Sequence, residues 1–326
     1  MTRVGELFGR VTRSTVIRLA VTAAILAFLS TRIDMREAAR AVAAVDLTHL
    51  GFVLVLVAID RAVMILRWIL LMRASGMTIA VRDATRLFLV SSFVGSFLPA
   101  GIGADAARAY GLSRASVTGS EALASVAVDR LLGVLSLVSM GVVGLVAWTP
   151  DGGGDWRIAA GVVIVGAACI GVFWADQLLR WLVPAHRHGR YFTRRILKLS
   201  DAVSRYRQRR GVLVHVMAWS LIVQLLRITQ AYVLAAGLGI VVPFAYLLLV
   251  MPVGLLMLLL PISVSGFGLP QGIIVWLLRP IGVPDSASFA LSTLIVLTGL
   301  AGNLPGLALW LKARRGKALP QAGEIL

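Results

Sequence analysis

Asp105 and Arg108 stand three residues apart, and Asp129 and Arg130 stand side by side, in a chain otherwise poor in charge. On a helix the first pair shares a face. A guanidinium offers a planar fork of donors that matches a phosphate, and a neighbouring carboxylate can fix the direction of that fork. The same pair also suits a plain ion pair at head-group level. Asp129 and Arg130, being adjacent, point apart, so each needs a partner elsewhere, crosswise with Arg108 and Asp105. The chemistry these residues fit is the holding of an oxyanion.

Two broken stretches share one grammar. Leu98-Pro99 is followed by Gly101, Gly103 and Asp105, and Leu260-Pro261 by Ser265, Gly266, Gly268 and Gln271. Proline ends or kinks a helix. Glycine allows positive φ and close backbone approach, and N–H groups exposed at such a break suit phosphate or carboxylate. One break of this kind is as readily a packing kink, since Gly and Pro are frequent in membrane helices. Two with the same grammar favour a functional pair.

Arg61, Arg67 and Arg227 lie within apolar runs, as do Asp60, Gln224 and Gln230. A charge at membrane depth faces a cavity or a partner by default. Arg67, near a helix end, is equally explained by reaching to the interface. Arg227, near the middle of its run, is the stronger cavity candidate.

Catalytic constellations are not found. His49, His186, His188 and His215 lack metal-ligand spacing, and Gly-x-Ser-x-Gly, Walker and HExxH motifs are absent. The single cysteine, Cys169, cannot build a disulfide framework within one chain. The expectation is a protein that is not an enzyme, with no metal and no cofactor. Any transport would run on an ion gradient, on consumption of product, or on exchange.

The elements that must position these residues follow from composition. The 326 residues are 59% hydrophobic and 14% charged, with mean hydropathy +0.89. A soluble domain carries about 25% charged residues, so this chain cannot cover a water-facing surface. The fold class is an all-α polytopic membrane protein of six to eight transmembrane helices plus re-entrant or broken helices. The net charge of +17 belongs to loops on the cytoplasmic side, and nucleic acid is not an expected partner because no recognisable nucleic-acid-binding module is present.

Apolar runs place spans at residues 16–30, 50–72, 122–148, 158–182, 212–238 and 289–311, with shorter segments at 87–100, 244–260 and 273–278. The segment 32–46 carries three arginines and three acids and is charge-neutral. Residues 184–210 hold nine Lys or Arg against Asp201 alone, the strongest cytoplasmic marker, while the acidic, glycine-rich turn at 149–155 reads as outside. Both markers fall on the correct side if residues 87–110 form a re-entrant element rather than a full span. Both termini are then cytoplasmic, in the cell inner membrane. Residues 1–326 read as one integral-membrane domain whose halves, 1–150 and 156–315, would form an inverted repeat of the kind that places transporter sites between broken helices. Residues 244–285 form either two short spans or a second re-entrant hairpin.

The stretch from Phe93 through Pro99, Gly101, Gly103 and Asp105 to Arg108 resembles the PxGxGGDxxR signature of the lysylphosphatidylglycerol synthase transmembrane (flippase-like) family. Arg67-Trp68 with Leu70-Leu71, Asp129-Arg130-Leu131-Leu132-Gly133, and Pro261-Ile262-Ser263 with Gly266-Phe267-Gly268 resemble further family motifs, in order along nearly the whole chain. Ala104 stands where the family often has a second glycine, and Gln271 where an acid is typical, so a coupling role for that acid does not carry over. Bifunctional members continue into a soluble aminoacyltransferase domain; the expectation here is the membrane domain standing alone.

The resemblance implies translocation of a phospholipid or lipid-linked head group between leaflets, with membrane lipids as partners and a homo-oligomer or biosynthetic partner as further company. On this reading Arg108 and Arg130 would hold the head-group phosphate, with Asp105 and Asp129 orienting them, and Arg67 and the cavity candidate Arg227 are further substrate-binding candidates. Pro99, Gly101, Gly103, Pro261, Ser265, Gly266, Gly268 and Gln271 would bring backbone and side chain to it. The alternative is a non-transporting component of a lipid, hopanoid or glycan-lipid biosynthesis complex.

Overall fold

The computed structural model describes residues 33–97, 102–114, 118–148, 209–257 and 268–315, with single positions 27, 31, 160, 164, 167 and 206. The expected spans at 16–30 and 158–182, most of the basic loop at 184–210, and both Leu-Pro breaks lie outside the described residues. All regular structure among the described residues is helical.

The first helix, α1 (Met35–Ala43), starts where Asp34 accepts hydrogen bonds from the backbone N–H groups of Arg36 and Glu37 at 2.9 and 3.1 Å. Side-chain acceptors at this position satisfy donors that the first turn leaves unpaired. The charge-neutral segment 32–46 thus contains a helix of nine residues. Asp46 opens α2 (Leu47–Ala74) in the same way, accepting from Thr48 N–H at 2.8 Å.

Among the described residues, four stretches are long and apolar enough to cross a membrane: Leu47–Ala74, Gly119–Ala147, Gly211–Gly237 and Asp285–Ala313. They correspond to α2, α5 (Gly119–Ala147), α6 (Arg210–Gly237), and α9 (Asp285–Ala301) continued by α10 (Leu304–Arg315). At about 1.5 Å per residue each exceeds the hydrocarbon core of about 30 Å. On α2 the exposed apolar residues Phe52, Val55, Ile59 and Leu66 form a lipid-facing stripe, while Val53, Leu56 and Val57 are buried. The chain is a polytopic helical membrane protein.

Between α2 and α5 lies a hairpin of two shorter helices, α3 (Val81–Phe97) and α4 (Ile102–Arg114). A Cβ at Gly95 would overlap Ala104, and one at Gly111 would meet Leu87. Positions fall on one helix as they rise on the other, so the legs run antiparallel. Legs of about 26 and 20 Å are short of a full crossing. Between α6 and α9 lie α7 (Phe244–Met257), which contains Pro252, and α8 (Leu269–Leu278), closed by a 3-10 turn at Arg279–Ile281.

Close packing depends on small residues. A Cβ on Gly144 of α5 would strike the backbone of Leu248 and Leu249 on α7, and one on Gly306 of α10 would strike the backbone of Leu89 on α3. Small residues let helices approach where lipid removes the hydrophobic drive for association. The last span, expected unbroken over 289–311, is interrupted at Gly302 and Asn303, just before Pro305. There Asn303 Nδ2 donates to Ser96 Oγ on α3 at 2.8 Å, tying the break to the hairpin.

Candidate functional site

Helix α2 contributes the first side chains. Arg67, 4% exposed, donates from Nη1 to Ser220 Oγ on α6 at 2.9 Å. Its Nη2 lies 2.8 Å from Asp129 Oδ1 on α5, off the line of a hydrogen bond, so that Oδ1 is ion-paired but not hydrogen-bonded. Arg67 thus does not reach to the interface; it is locked between two other helices.

Asp129 also receives Arg108 of α4, whose Nη1 lies 3.4 Å from Asp129 Oδ2. Arg108 is as buried as Arg67, and its guanidinium carbon sits 4.3 Å from the Phe88 ring centroid and 5.2 Å from that of Trp68. The ring faces of these two residues stabilise the cation. Asp105, in the first turn of α4, where a helix N-terminus favours a carboxylate, is bound by Arg130 Nε of α5. The crosswise pairing expected from adjacency is present: Arg108 goes to Asp129 and Arg130 to Asp105. One expectation changes. Asp105 stands 4.0 Å from Arg108, farther than Asp129, so Asp129 is the carboxylate that orients the Arg108 fork.

Among the described residues, three guanidiniums thus gather on two carboxylates. The Nε atoms of Arg67 and Arg108 and the Trp68 indole N–H are buried without a hydrogen-bond partner. Orphaned donors in a low-dielectric interior are costly, and an acceptor on a ligand relieves that cost.

A second cluster lies deeper on α2. Asp60, 3% exposed, has Oδ1 3.2 Å from Arg227 Nε of α6 and Oδ2 3.5 Å from Arg61 Nη1. Arg61 Nη2 donates to the Gly299 carbonyl of α9 at 3.2 Å. Arg227, the cavity candidate, is therefore paired, through a carboxylate 167 positions away in sequence.

Gly268 has φ of 95°, a conformation that glycine adopts freely, and its N–H donates to Gln271 Oε1 at 2.7 Å. Gln271, fully buried, caps α8, while its Nε2 has no hydrogen-bond partner. Gly103 is buried in the first turn of α4. Pro99, Gly101, Pro261, Ser265 and Gly266 lie outside the described residues. Phe88, Met64 and Ser220 escape a sequence reading, because an apolar or hydroxyl side chain in an apolar run carries no sign of what faces it. No group of three or more His, Cys, Asp and Glu that could hold a metal occurs among the described residues.

Fold and site together define a multi-pass helical membrane protein with a buried arginine–carboxylate cluster between a helical hairpin and two spans. The family model of the lysylphosphatidylglycerol synthase TM region matches residues 15–306, and the chain belongs to this family. Comparison with curated proteins finds no match.

Proposed function

We propose that this protein moves an anionic phospholipid or a lipid-linked head group between the leaflets of the cytoplasmic membrane, and that it does so without bond chemistry of its own. The observation that carries this reading is the cluster of Arg67, Arg108, Arg130, Asp105 and Asp129, in which the buried Arg67 and Arg108 keep unbonded donors. Intramembrane charge is expensive and marks pathways for polar cargo. A phosphate diester supplies the missing acceptors, and its acyl chains stay in lipid. Its family membership supports the link to membrane lipid.

The packing pattern supports an inverted repeat of 1–150 and 156–315. Helix α5 packs on α7 and α10 on α3; α4 packs on α5 and α8 on α9; α2 packs on α9 and α6 on α5. Each contact is the other's image when α2, α3, α4 and α5 are exchanged for α6, α7, α8 and the α9–α10 span. The α3–α4 hairpin is then a re-entrant element facing the cytoplasm, the side on which Arg73, Arg82 and Arg86 cluster, and both termini lie on that side.

Reconstitution into vesicles with head-group-labelled phosphatidylglycerol, followed by quenching of the outer leaflet, tests the reading. The intact protein is expected to equilibrate label between leaflets, and Arg108→Ala to slow it by about tenfold or more, the scale of a lost charged hydrogen bond. Equal rates for Arg108→Ala and the intact protein would sink the assignment.

A further inference from the structure

Asp60 and Arg61 sit at the centre of α2: thirteen residues precede Asp60 and thirteen follow Arg61. That places them about 20 Å from either end of the helix, at its midpoint. Arg227 comes to the same level from α6. Two guanidiniums face one carboxylate, so this level holds one positive charge in excess among the described residues.

Where the remaining donors go is telling. Arg227 Nη2 lies 3.1 Å from Met64 Sδ and Arg61 Nη1 lies 3.5 Å from the same sulfur. A thioether is a weak acceptor, yet here it serves two charged donors in a medium that rewards strong ones. Arg61 Nε has no hydrogen-bond partner. Unlike Arg67 and Arg108, whose side chains are each 5% exposed, Arg61 and Arg227 are 19% and 26% exposed. The arrangement is open, cationic and poorly satisfied.

The level also connects to the first cluster. Asp60 and Arg67 are seven residues apart on α2, as are Arg61 and Trp68, so each pair shares a face across about 10 Å of rise.

Resting on the proposed function, we propose that Arg61 and Arg227, held by Asp60, form a second oxyanion subsite at the midpoint of α2, which takes a phosphate-type group in place of Met64 Sδ. A head group leaving Arg108 then meets its next cationic partner about 10 Å deeper, about a third of the hydrocarbon core. Met64 occupies the donors while the subsite holds no cargo, which limits the cost of two half-satisfied arginines in lipid.

The test counts phosphatidylglycerol bound to the full-length protein by native mass spectrometry from mixed micelles, with inorganic phosphate as competitor. The intact protein is expected to retain two lipids. Arg227→Gln and Arg61→Gln are each expected to lose one, with affinity for it reduced about tenfold or more, and Arg227→Lys to recover part of the loss. Met64→Leu, which removes the competing sulfur, is expected to bind the second lipid severalfold more tightly. Displacement of that lipid by inorganic phosphate assigns the subsite to free anions, and resistance assigns it to the head group; either result keeps the oxyanion chemistry. Two lipids held by folded Arg227→Gln and Arg61→Gln at unchanged affinity overturn the subsite alone. An intact protein that binds no phosphatidylglycerol overturns the proposed function with it.

Discussion

Arg67 of α2 and Asp129 of α5 meet at 2.8 Å with both side chains under a tenth exposed. The pair joins two membrane spans, and through Ser220 and Arg108 it reaches α6 and α4 as well. Removing one member of a buried pair leaves its partner's charge uncompensated. Asp129→Asn would leave Arg67 and Arg108 facing each other over a neutral amide. The expected cost is about 3–5 kcal/mol, read as a lower thermal midpoint in detergent. Adding Arg67→Met should recover part of it, because the orphaned charge then goes too.

Arg108 lies against Phe88 and Trp68, a placement that suits a flat guanidinium. Arg108→Lys keeps the charge and loses the fork and the stacking, so it is not conservative at this position. Lipid equilibration in vesicles should fall close to the rate of Arg108→Ala. A rate equal to that of the intact protein would show that charge alone suffices.

Gly144 and Gly306 have no room for a methyl group, since each would strike the backbone of the opposite helix. Gly144→Ala and Gly306→Ala should each destabilise by about 1–3 kcal/mol, the range for overpacking. Gly51, with nothing within 4 Å of a Cβ, lies in the interior of α2, and Gly51→Ala should stabilise by about 0.5–1 kcal/mol. Opposite shifts in thermal midpoint check both.

Asp46, outside the span it caps, has its carboxyl held below the ordinary value by the backbone N–H of Thr48 first and by the His49 side chain second. A carboxylate whose folded value is depressed adds stability above its unfolded value, here about 3.8, and loses it as pH falls through the folded value. Amide exchange at the start of α2 should therefore accelerate below about pH 4. In Asp46→Asn that acceleration should be absent.

The helical class and most span positions are legible in the sequence, because apolar runs in lipid leave no other way to satisfy the backbone. The crosswise pairing is legible too: adjacent Asp129 and Arg130 cannot face each other, and the i, i+3 pair offers them opposite charges. Other features stay hidden. Nothing near Arg227 in the sequence points to Asp60, since that contact depends on how α6 lies along α2. The helix at Met35–Ala43 was obscured by a mixed charge pattern, although Asp34 three residues before Glu37 is a helix-start signature. Pro305 carried a signal for the break at Gly302 and Asn303, hidden by the high hydropathy on either side.

The antiparallel seam of α2 and α6 is fixed at two levels by polar contacts, Arg67 with Ser220 and Asp60 with Arg227. A slide of α6 by a single turn, about 5.4 Å, would break both at once and leave Arg227 without its carboxylate in lipid. Under the proposed function, this seam is the fixed part of the molecule: alternation between two faces would tilt the α3–α4 hairpin against α2 and α6, with the close contact of Gly306 on Leu89 as the bearing on which it turns.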